Sequence, residues 1–242
     1  MKYVCETHIG NVRETNEDYF TIYLPSNNVS GFFIIADGMG GHQAGDIASK
    51  MACDLLLKFL INKNDQYQDI GQLLIDGYLW VNQKLFEISY RNEKYYGMGT
   101  TLVTAAIKDN TVYIANVGDS RAYYISDRIY QITEDHSLVY QMYKNGDITK
   151  EEINIHPQKN IITRAVGISL DLKVDLFSFK YDNTLKLILC TDGLTNFVSE
   201  DYIFEVSKTY DIQTCASILM EQALQNGGRD NITMVIIENN IF

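Results

Sequence analysis

The order of the predicted helices and strands constrains the fold of this chain more than any other feature. Apolar residues at helical spacing predict helices over 44–61, 69–90, 199–208 and 212–225. Short apolar or alternating segments predict strands over 1–8, 18–24, 31–36, 99–107, 111–117, 121–126, 128–132, 173–179, 185–190 and 232–237. Helices and strands therefore occupy separate blocks instead of alternating βαβ units. This order favours antiparallel sheets with helices packed outside them.

A charge-free strand in this pattern ends in an acidic residue. Residues 31–36 are apolar on both faces, which predicts a central strand, and Asp37 and Gly38 follow at once. Asp119 and Asp192 also stand at the ends of predicted strands. An Asp-Gly pair taken alone is most often a turn, so the interpretation depends on the whole set.

Further acidic residues stand where predicted strands begin. Glu17 and Asp18 lie at the start of the second strand, and Asp230 precedes the strand over 232–237. In an antiparallel sheet the end of one strand lies beside the start of its neighbour. The acidic residues at strand ends and strand starts are therefore predicted to converge on one edge of the sheets.

A cluster of carboxylates needs positive charge among its members, because neighbouring like charges otherwise force protonation. Ligands that are all oxygen favour Mg²⁺, Mn²⁺ or Ca²⁺ over zinc. Two cations bridged by one aspartate would hold an activated water for attack on phosphorus. Arg13, four residues before Glu17, is the candidate to bind a phosphate, because guanidinium pairs with phosphate through two hydrogen bonds.

Net charge and the absence of known motifs argue against several other classes of protein. The formal net charge of -11 argues against a nucleic-acid partner. Gln43 stands where a dinucleotide fingerprint needs its third glycine, and no P-loop or EF-hand loop is present. The four cysteines form no CxxC pair.

A chain of 242 residues can form one large domain or two small ones. Without a membrane-length apolar run or a signal-peptide core, we expect a cytoplasmic protein that does not bind membranes.

Eight motifs together carry a resemblance to a known family. They are GNVRETNED (10–18), ADGMGGH (36–42), GTT (99–101), NVGDSR (116–121), DHS (135–137), ITRAVG (162–167), TDGL (191–194) and GRDNIT (228–233). In this order they resemble the metal-dependent serine/threonine protein phosphatases of the 2C type, in their compact bacterial form. The resemblance implies an α+β fold, a four-layer α-β-β-α sandwich of two antiparallel sheets flanked by helix pairs. It also implies a single catalytic domain over 1–242, with a flap at about 136–167 beside the site.

The resemblance further implies a binuclear Mn²⁺ or Mg²⁺ centre. The implied ligands are Glu17, Asp18, Asp37, Gly38, Asp119, Asp192 and Asp230. Asp37 would bridge both ions, the carbonyl of Gly38 would hold one, and Asp192 and Asp230 would hold the other. Asp119 would share a third, weaker ion with Asp192. The catalytic acids would then be Asp37, Asp192 and Asp230.

Two features of the predicted site concern the substrate. Arg13 would bind the substrate phosphate. Animal members often carry a histidine just after the Asp-Gly as general acid for the leaving alcohol, and Met39 occupies that place here. His42 has no assigned role, and a metal-bound water is the alternative acid.

The sequence predicts a phosphatase in which a metal-bridging hydroxide attacks phosphoserine or phosphothreonine without a phospho-enzyme. By resemblance, its partners would be phosphoproteins and a cognate serine/threonine kinase that it opposes, and it would act as a monomer. Another two-metal phosphoesterase, such as a nuclease, is the alternative among enzymes. A catalytically inactive family member that acts as a binding module is the alternative outside them.

Overall fold

The computed structural model describes residues 1–25, 31–40, 44–108, 110–180 and 186–238. Its strands are β1 (Lys2–His8), β2 (Asp18–Tyr23), β3 (Gly31–Met39), β4 (Gly99–Thr100), β5 (Leu102–Lys108), β6 (Thr111–Val117), β7 (Arg121–Ile125), β8 (Ile129–Gln131), β9 (Asp175–Lys180), β10 (Lys186–Cys190) and β11 (Ile232–Glu238). Its helices are α1 (Ala44–Lys63), α2 (Ile70–Arg91), α3 (Leu138–Asn145), α4 (Lys150–Ile153), α5 (Asp192–Thr195), α6 (Glu200–Thr209) and α7 (Ile212–Gln225).

Two stacked antiparallel sheets form the centre of the molecule. One sheet has the strand order β1-β11-β10-β7-β8, and the other has β2-β3-β5-β6-β9 with β4 paired to β3. Helices α1 and α2 cover the second sheet, while α6 and α7 cover the first. The predicted α-β-β-α sandwich is therefore confirmed. Among the described residues, no helix combines the length and the apolar character needed to cross a membrane.

Strand β3 shows why this architecture needs charge-free strands. Its alternate residues Phe33 and Ile35 belong to the core between the two sheets. Phe32, Ile34 and Ala36 belong to the core beneath α1 and α2. Since successive side chains of a strand point to opposite faces, a strand buried on both sides must be apolar throughout. Asp37 thus lies at the edge of the sheet, directly after strand residues that are packed on both faces.

Most strands begin and end within two residues of the predicted bounds, and two of them differ by more than that. The segment 99–107 is divided at Thr101 into β4 and β5, because Thr101 bonds to Asp37 instead. Its Oγ1 accepts the Asp37 N–H at 2.9 Å, and its own N–H donates to the Asp37 carbonyl at 2.8 Å. Strand β3 continues past its predicted end, because Gly38 and Met39 pair with β4.

The segment 136–167 contains two short helices, α3 and α4, and little other regular structure. Its two ends are held together at the base. Ser137 and Ile162 form an isolated antiparallel bridge. The Thr163 N–H donates to the His136 carbonyl at 2.7 Å. The segment is thus a closed loop that leaves the sandwich and returns to the same point.

Replacing Tyr78 with phenylalanine should destabilise the sandwich by about 1–3 kcal/mol, since buried acceptors would lose their donor. The fully buried Tyr78 hydroxyl contacts the Leu102 carbonyl at 3.2 Å, and the Ala115 carbonyl and Thr104 Oγ1 at 2.9 Å each. Urea denaturation measures the change in the free energy of unfolding. Tyr90→Phe, at a side chain that is 77% exposed, is the control and should be nearly neutral. Equal free energies of unfolding for the two variants would show that the hydrogen bonds of the Tyr78 hydroxyl do not stabilise the sandwich.

Candidate metal centre

One cleft of about 270 Å³ collects most of the predicted site residues. Its lining includes Arg13, Glu17, Asp37, Gly38, Asp119, Asp192 and Asp230. Met39, Gly40, Asn160, Ile162 and Asn231 complete the lining. The eighth predicted residue, Asp18, lies directly opposite Asp37 in the β2–β3 pair and is 6% exposed. His42 lies outside the described residues.

Asp37 owes its position to a backbone that is fixed on both sides. The bonds to Thr101 hold its N–H and its carbonyl. The Gly38 N–H donates to the Glu17 carbonyl at 3.0 Å. A Cβ on Gly38 would stand 1.9 Å from the Gly45 carbonyl oxygen, so only glycine fits beside the start of α1. The strand end and the first turn of this helix therefore pack without a side chain between them.

Asp192 follows β10 with one residue between them, and it also opens the short helix α5, which the sequence analysis did not predict. The Asn196 Nδ2 donates to its carboxylate at 2.8 Å. A Cβ on Gly193 would stand 1.8 Å from the Asn231 carbonyl oxygen, so α5 packs directly on the chain that carries Asp230.

Asn231 connects the two loops that form one wall of the cleft. Its Nδ2 donates to the carbonyls of Ile9 and Thr15, each at 2.9 Å. Its Oδ1 accepts the Glu17 N–H at 2.8 Å. Sequence reasoning assigned no role to Asn231, although it lies inside the GRDNIT motif. Its function is to hold the loop with Arg13 and Glu17 beside Asp230.

Arg13 supplies positive charge at the mouth of the cleft. Its Nη2 lies 2.9 Å from Asp230 Oδ1 and 3.1 Å from Oδ2. The guanidinium side chain remains 48% exposed. The hydrogen bond to Asp230 raises the pKa of Arg13 further above its ordinary value. The Arg13 guanidinium is thus close to the carboxylates but still accessible to an anion from solvent.

The acidic residues of the cleft disfavour one another's ionised forms. Burial raises the pKa of Asp18 to about 7, and burial followed by the charge of Asp230 raises that of Asp192 to about 6. The pKa of Asp37 is raised well above its ordinary value by burial and then by Asp18. Burial and the charge of Asp192 do the same to Asp119. Such a set is stabilised by any group that brings positive charge among its members.

The donor chemistry of the site fits a hard divalent cation. Among the described residues, no three acidic, histidine or cysteine side chains are already arranged as a closed metal site. The groups that line the cleft nevertheless offer carboxylate and carbonyl oxygens, which Mg²⁺ and Mn²⁺ prefer. Asp18 Oδ2 accepts from the Thr191 hydroxyl at 2.8 Å. Its Oδ1 is one of two buried side-chain oxygens in the described part of the chain without a hydrogen-bond partner. An unsatisfied carboxyl oxygen beside the cleft fits a cation or a cation-bound water there.

Comparisons with known proteins identify the family of this chain. The model of the protein phosphatase 2C family matches residues 7–226, and the chain belongs to that family. A serine/threonine phosphatase, stp, from Listeria welshimeri is 38% identical over 247 residues, covering 98% of this chain and 95% of the relative. Protein phosphatase PhpP of Streptococcus pneumoniae is 38% identical over 240 residues, covering 97% and 96%. The resemblance inferred from the eight motifs is therefore confirmed.

Solved structures confirm the fold. Serine/threonine phosphatase Stp1 from Staphylococcus aureus matches with a TM-score of 0.92 and 38% identity, over 98% of this chain and 94% of that one. The catalytic domain of the phosphatase PstP, in complex with two manganese ions, matches with a TM-score of 0.83 and 29% identity, over 98% and 97%.

Proposed function

We propose that this protein is a metal-dependent protein serine/threonine phosphatase. The observation that carries the proposal is the gathering of five carboxylates, Glu17, Asp37, Asp119, Asp192 and Asp230, with one guanidinium in a single cleft. The names of the relatives support the phosphoprotein substrate class. The manganese complex of PstP supports the divalent ion.

The carboxylates would together coordinate two metal ions. Asp37 would help to hold both ions, the carbonyl of Gly38 would help to hold one, and Asp192 and Asp230 would help to hold the other. Asp119 and Asp192 would hold a third, weaker ion. When bound, Mn²⁺ or Mg²⁺ lowers the pKa of coordinated water and neutralises the charge of a phosphate.

Glu17 and Asp18 would support the centre from the β2 side. Asp18 is fixed by the Thr191 hydroxyl, and Glu17 by its backbone bond to Asn231. Met39 lines the cleft where some relatives carry a histidine, and it has no proton to give to the leaving alcohol. Arg13 would orient the phosphate by turning from Asp230 toward it, since its side chain is accessible from solvent.

We further propose that residues 1–242 form one catalytic domain, with the closed loop 136–167 as the flap beside the cleft. Asn160 and Ile162 of this loop line the cleft directly, which supports a part in admitting substrate. By family resemblance, the enzyme would act as a monomer in cytoplasmic signalling and oppose a serine/threonine kinase.

Phosphate release from a phosphothreonine peptide, measured with and without Mn²⁺, tests the proposed function. We expect release that depends on Mn²⁺ and is lost in Asp192→Asn. A wild-type chain without activity, or an Asp192→Asn variant at full rate, would contradict the proposal. Single-stranded nucleic acid is the second substrate in the assay, and its cleavage in place of the peptide would favour a nuclease.

Replacing Arg13 with alanine is expected to raise the KM for the phosphopeptide roughly 10- to 100-fold, as loss of charge-assisted hydrogen bonds to a phosphate would. Arg13→Lys should give an intermediate KM, because an ammonium keeps the charge but not the paired donors. Steady-state kinetics on both variants measure the effect. Arg91→Ala, at the exposed end of α2, is the control. An unchanged KM in Arg13→Ala would remove Arg13 from substrate binding.

A further inference from the structure

His136 joins four separate parts of the chain beside the candidate metal centre. Its backbone N–H donates to the Gly118 carbonyl at 3.0 Å, and its carbonyl accepts the Thr163 N–H at 2.7 Å. Its ring Nδ1 lies 2.9 Å from the Gly118 nitrogen, and its Nε2 lies 3.0 Å from Asp175 Oδ2. The contacts therefore link the β6–β7 turn, both ends of the loop 136–167 and the start of β9.

The contact with Gly118 determines where the ring carries its proton. The Gly118 N–H can only donate, so Nδ1 must be an unprotonated acceptor. Nε2 then carries the hydrogen and donates to Asp175. Arg164 Nη1 lies 2.8 Å from Nε2, so two donors meet there, and the Asp175 carboxylate offsets this contact by accepting from both, with its Oδ1 2.8 Å from Nη1. In the alternative tautomer, the hydrogen on Nδ1 would point at the hydrogen of the Gly118 N–H. An unprotonated Nε2 would then face the Asp175 carboxylate with no hydrogen to donate to it.

The surroundings of the ring favour this neutral form. His136 is 6% exposed. Burial lowers its pKa, as does the charge of Arg164, while Asp175 acts in the opposite direction. A buried backbone N–H has few substitutes for the acceptor that the ring provides, because water does not reach it freely.

The residue after Gly118 is Asp119, which lines the cleft. Gly118 has a φ of +112°, and a Cβ there would stand 2.5 Å from the Thr101 side chain. On the other side of Asp119, the Ser120 hydroxyl contacts Thr101 Oγ1 at 2.7 Å. Asp119 is thus held between two anchors, one that leads through Thr101 to Asp37 and one that is the ring of His136.

We propose that His136 is a positioning residue, which fixes the Asp119 carboxylate toward the centre by accepting the Gly118 N–H at Nδ1. Because the same residue closes the base of the loop 136–167, it couples the geometry of that loop to Asp119. The proposal rests on the proposed role of Asp119 as a ligand of the weaker ion.

Two substitutions separate the two bonds of the ring. His136→Asn keeps an acceptor near the position of Nδ1 and loses the contact with Asp175. His136→Gln places its amide near the position of Nε2 and loses the acceptor for Gly118. A merely structural histidine predicts similar effects from both, whereas positioning through Gly118 predicts a difference between them.

Calorimetric titration with Mn²⁺ measures the consequence in the full chain, with Asp119→Asn identifying the weaker site. In His136→Gln we expect the affinity of that site to fall roughly 10- to 100-fold, the usual cost of losing a partner that orients a ligand. His136→Asn should stay near the wild-type affinity, and the tighter binding should be unchanged in both. Equal affinities in the two variants, or an Asp119→Asn variant that binds like the wild type, would overturn the proposal.

Metal-free measurements keep the proposal separate from the proposed function. Nitrogen NMR of the full chain should show His136 Nδ1 unprotonated and Nε2 protonated. Hydrogen exchange of the Gly118 amide should be faster in His136→Gln and little changed in His136→Asn. These results are expected even if the chain releases no phosphate. A protonated Nδ1, or Gly118 exchange that is the same in all three proteins, would overturn the positioning role.

Discussion

Replacing Asp37 with asparagine is expected to lower phosphate release by on the order of a thousandfold or more while leaving the chain folded. Asp37 is the carboxylate proposed to contact both ions, so its loss removes a ligand from each. The amide keeps the shape of the side chain, and the bonds to Thr101 use only the backbone of residue 37. Steady-state phosphate release at saturating Mn²⁺ measures the change.

The same substitution should stabilise the metal-free protein at neutral pH. Burial and the charges of Asp18 and Asp192 raise the pKa of Asp37, so ionising it in the folded state is unfavourable. An asparagine removes that cost. Asp147→Asn, at an exposed acid that does not line the cleft, is the control for both measurements. An Asp37→Asn variant that keeps most of its activity would show that the bridging role is wrong.

The stability of the metal-free protein should fall as pH rises from about 4 to about 7. Burial raises the folded-state pKa of Asp18 to about 7 and that of Asp192 to about 6, from an ordinary value of 3.8. A folded state that binds more protons than the unfolded state loses stability as those protons are removed. The loss should be on the order of a few kcal/mol.

Urea denaturation at pH 5 and at pH 8, with a chelator present, measures this loss. Asp18→Asn is the matched variant and should flatten the dependence, because the amide has no proton to release. Mn²⁺ at about 100 times its Kd should restore roughly 2.7 kcal/mol for each independent site. Greater stability at pH 8 than at pH 5 without metal would contradict the electrostatic account of the cleft.

The sandwich could be predicted because its sequence signals are local and periodic. The charge-free segment 31–36 indicates a strand buried on both faces, and Phe33 and Ile34 indeed belong to different cores. The separate blocks of helices and strands favour antiparallel sheets over a parallel α/β sheet. These signals need only residues that are close in the chain.

The remaining features could not be predicted because they depend on contacts between distant residues. The division of the segment 99–107 at Thr101 reflects bonds to Asp37, 64 residues away. The role of Asn231 arises from bonds to residues more than 200 positions earlier in the chain. No local pattern indicates which amide will hold which loop.

The candidate site could be predicted from the sequence only in part. The position of each acid at a strand end or strand start indicated that the acids would meet, and the cleft collects all of them except Asp18. The ion pair of Arg13 with Asp230 was outside what spacing could indicate, since the two residues are 217 positions apart. The roles of these residues stay predictions until metal binding is measured.

The number of Mn²⁺ ions that the full chain binds is the direct test of a metal centre that is shared through Asp37. Equilibrium dialysis at neutral pH should find at least two ions per wild-type chain, and Asp37→Asn should weaken both together, because both are proposed to share that carboxylate. A wild-type chain that binds one ion or none would contradict the account, as would an Asp37→Asn variant that binds two ions with unchanged affinity.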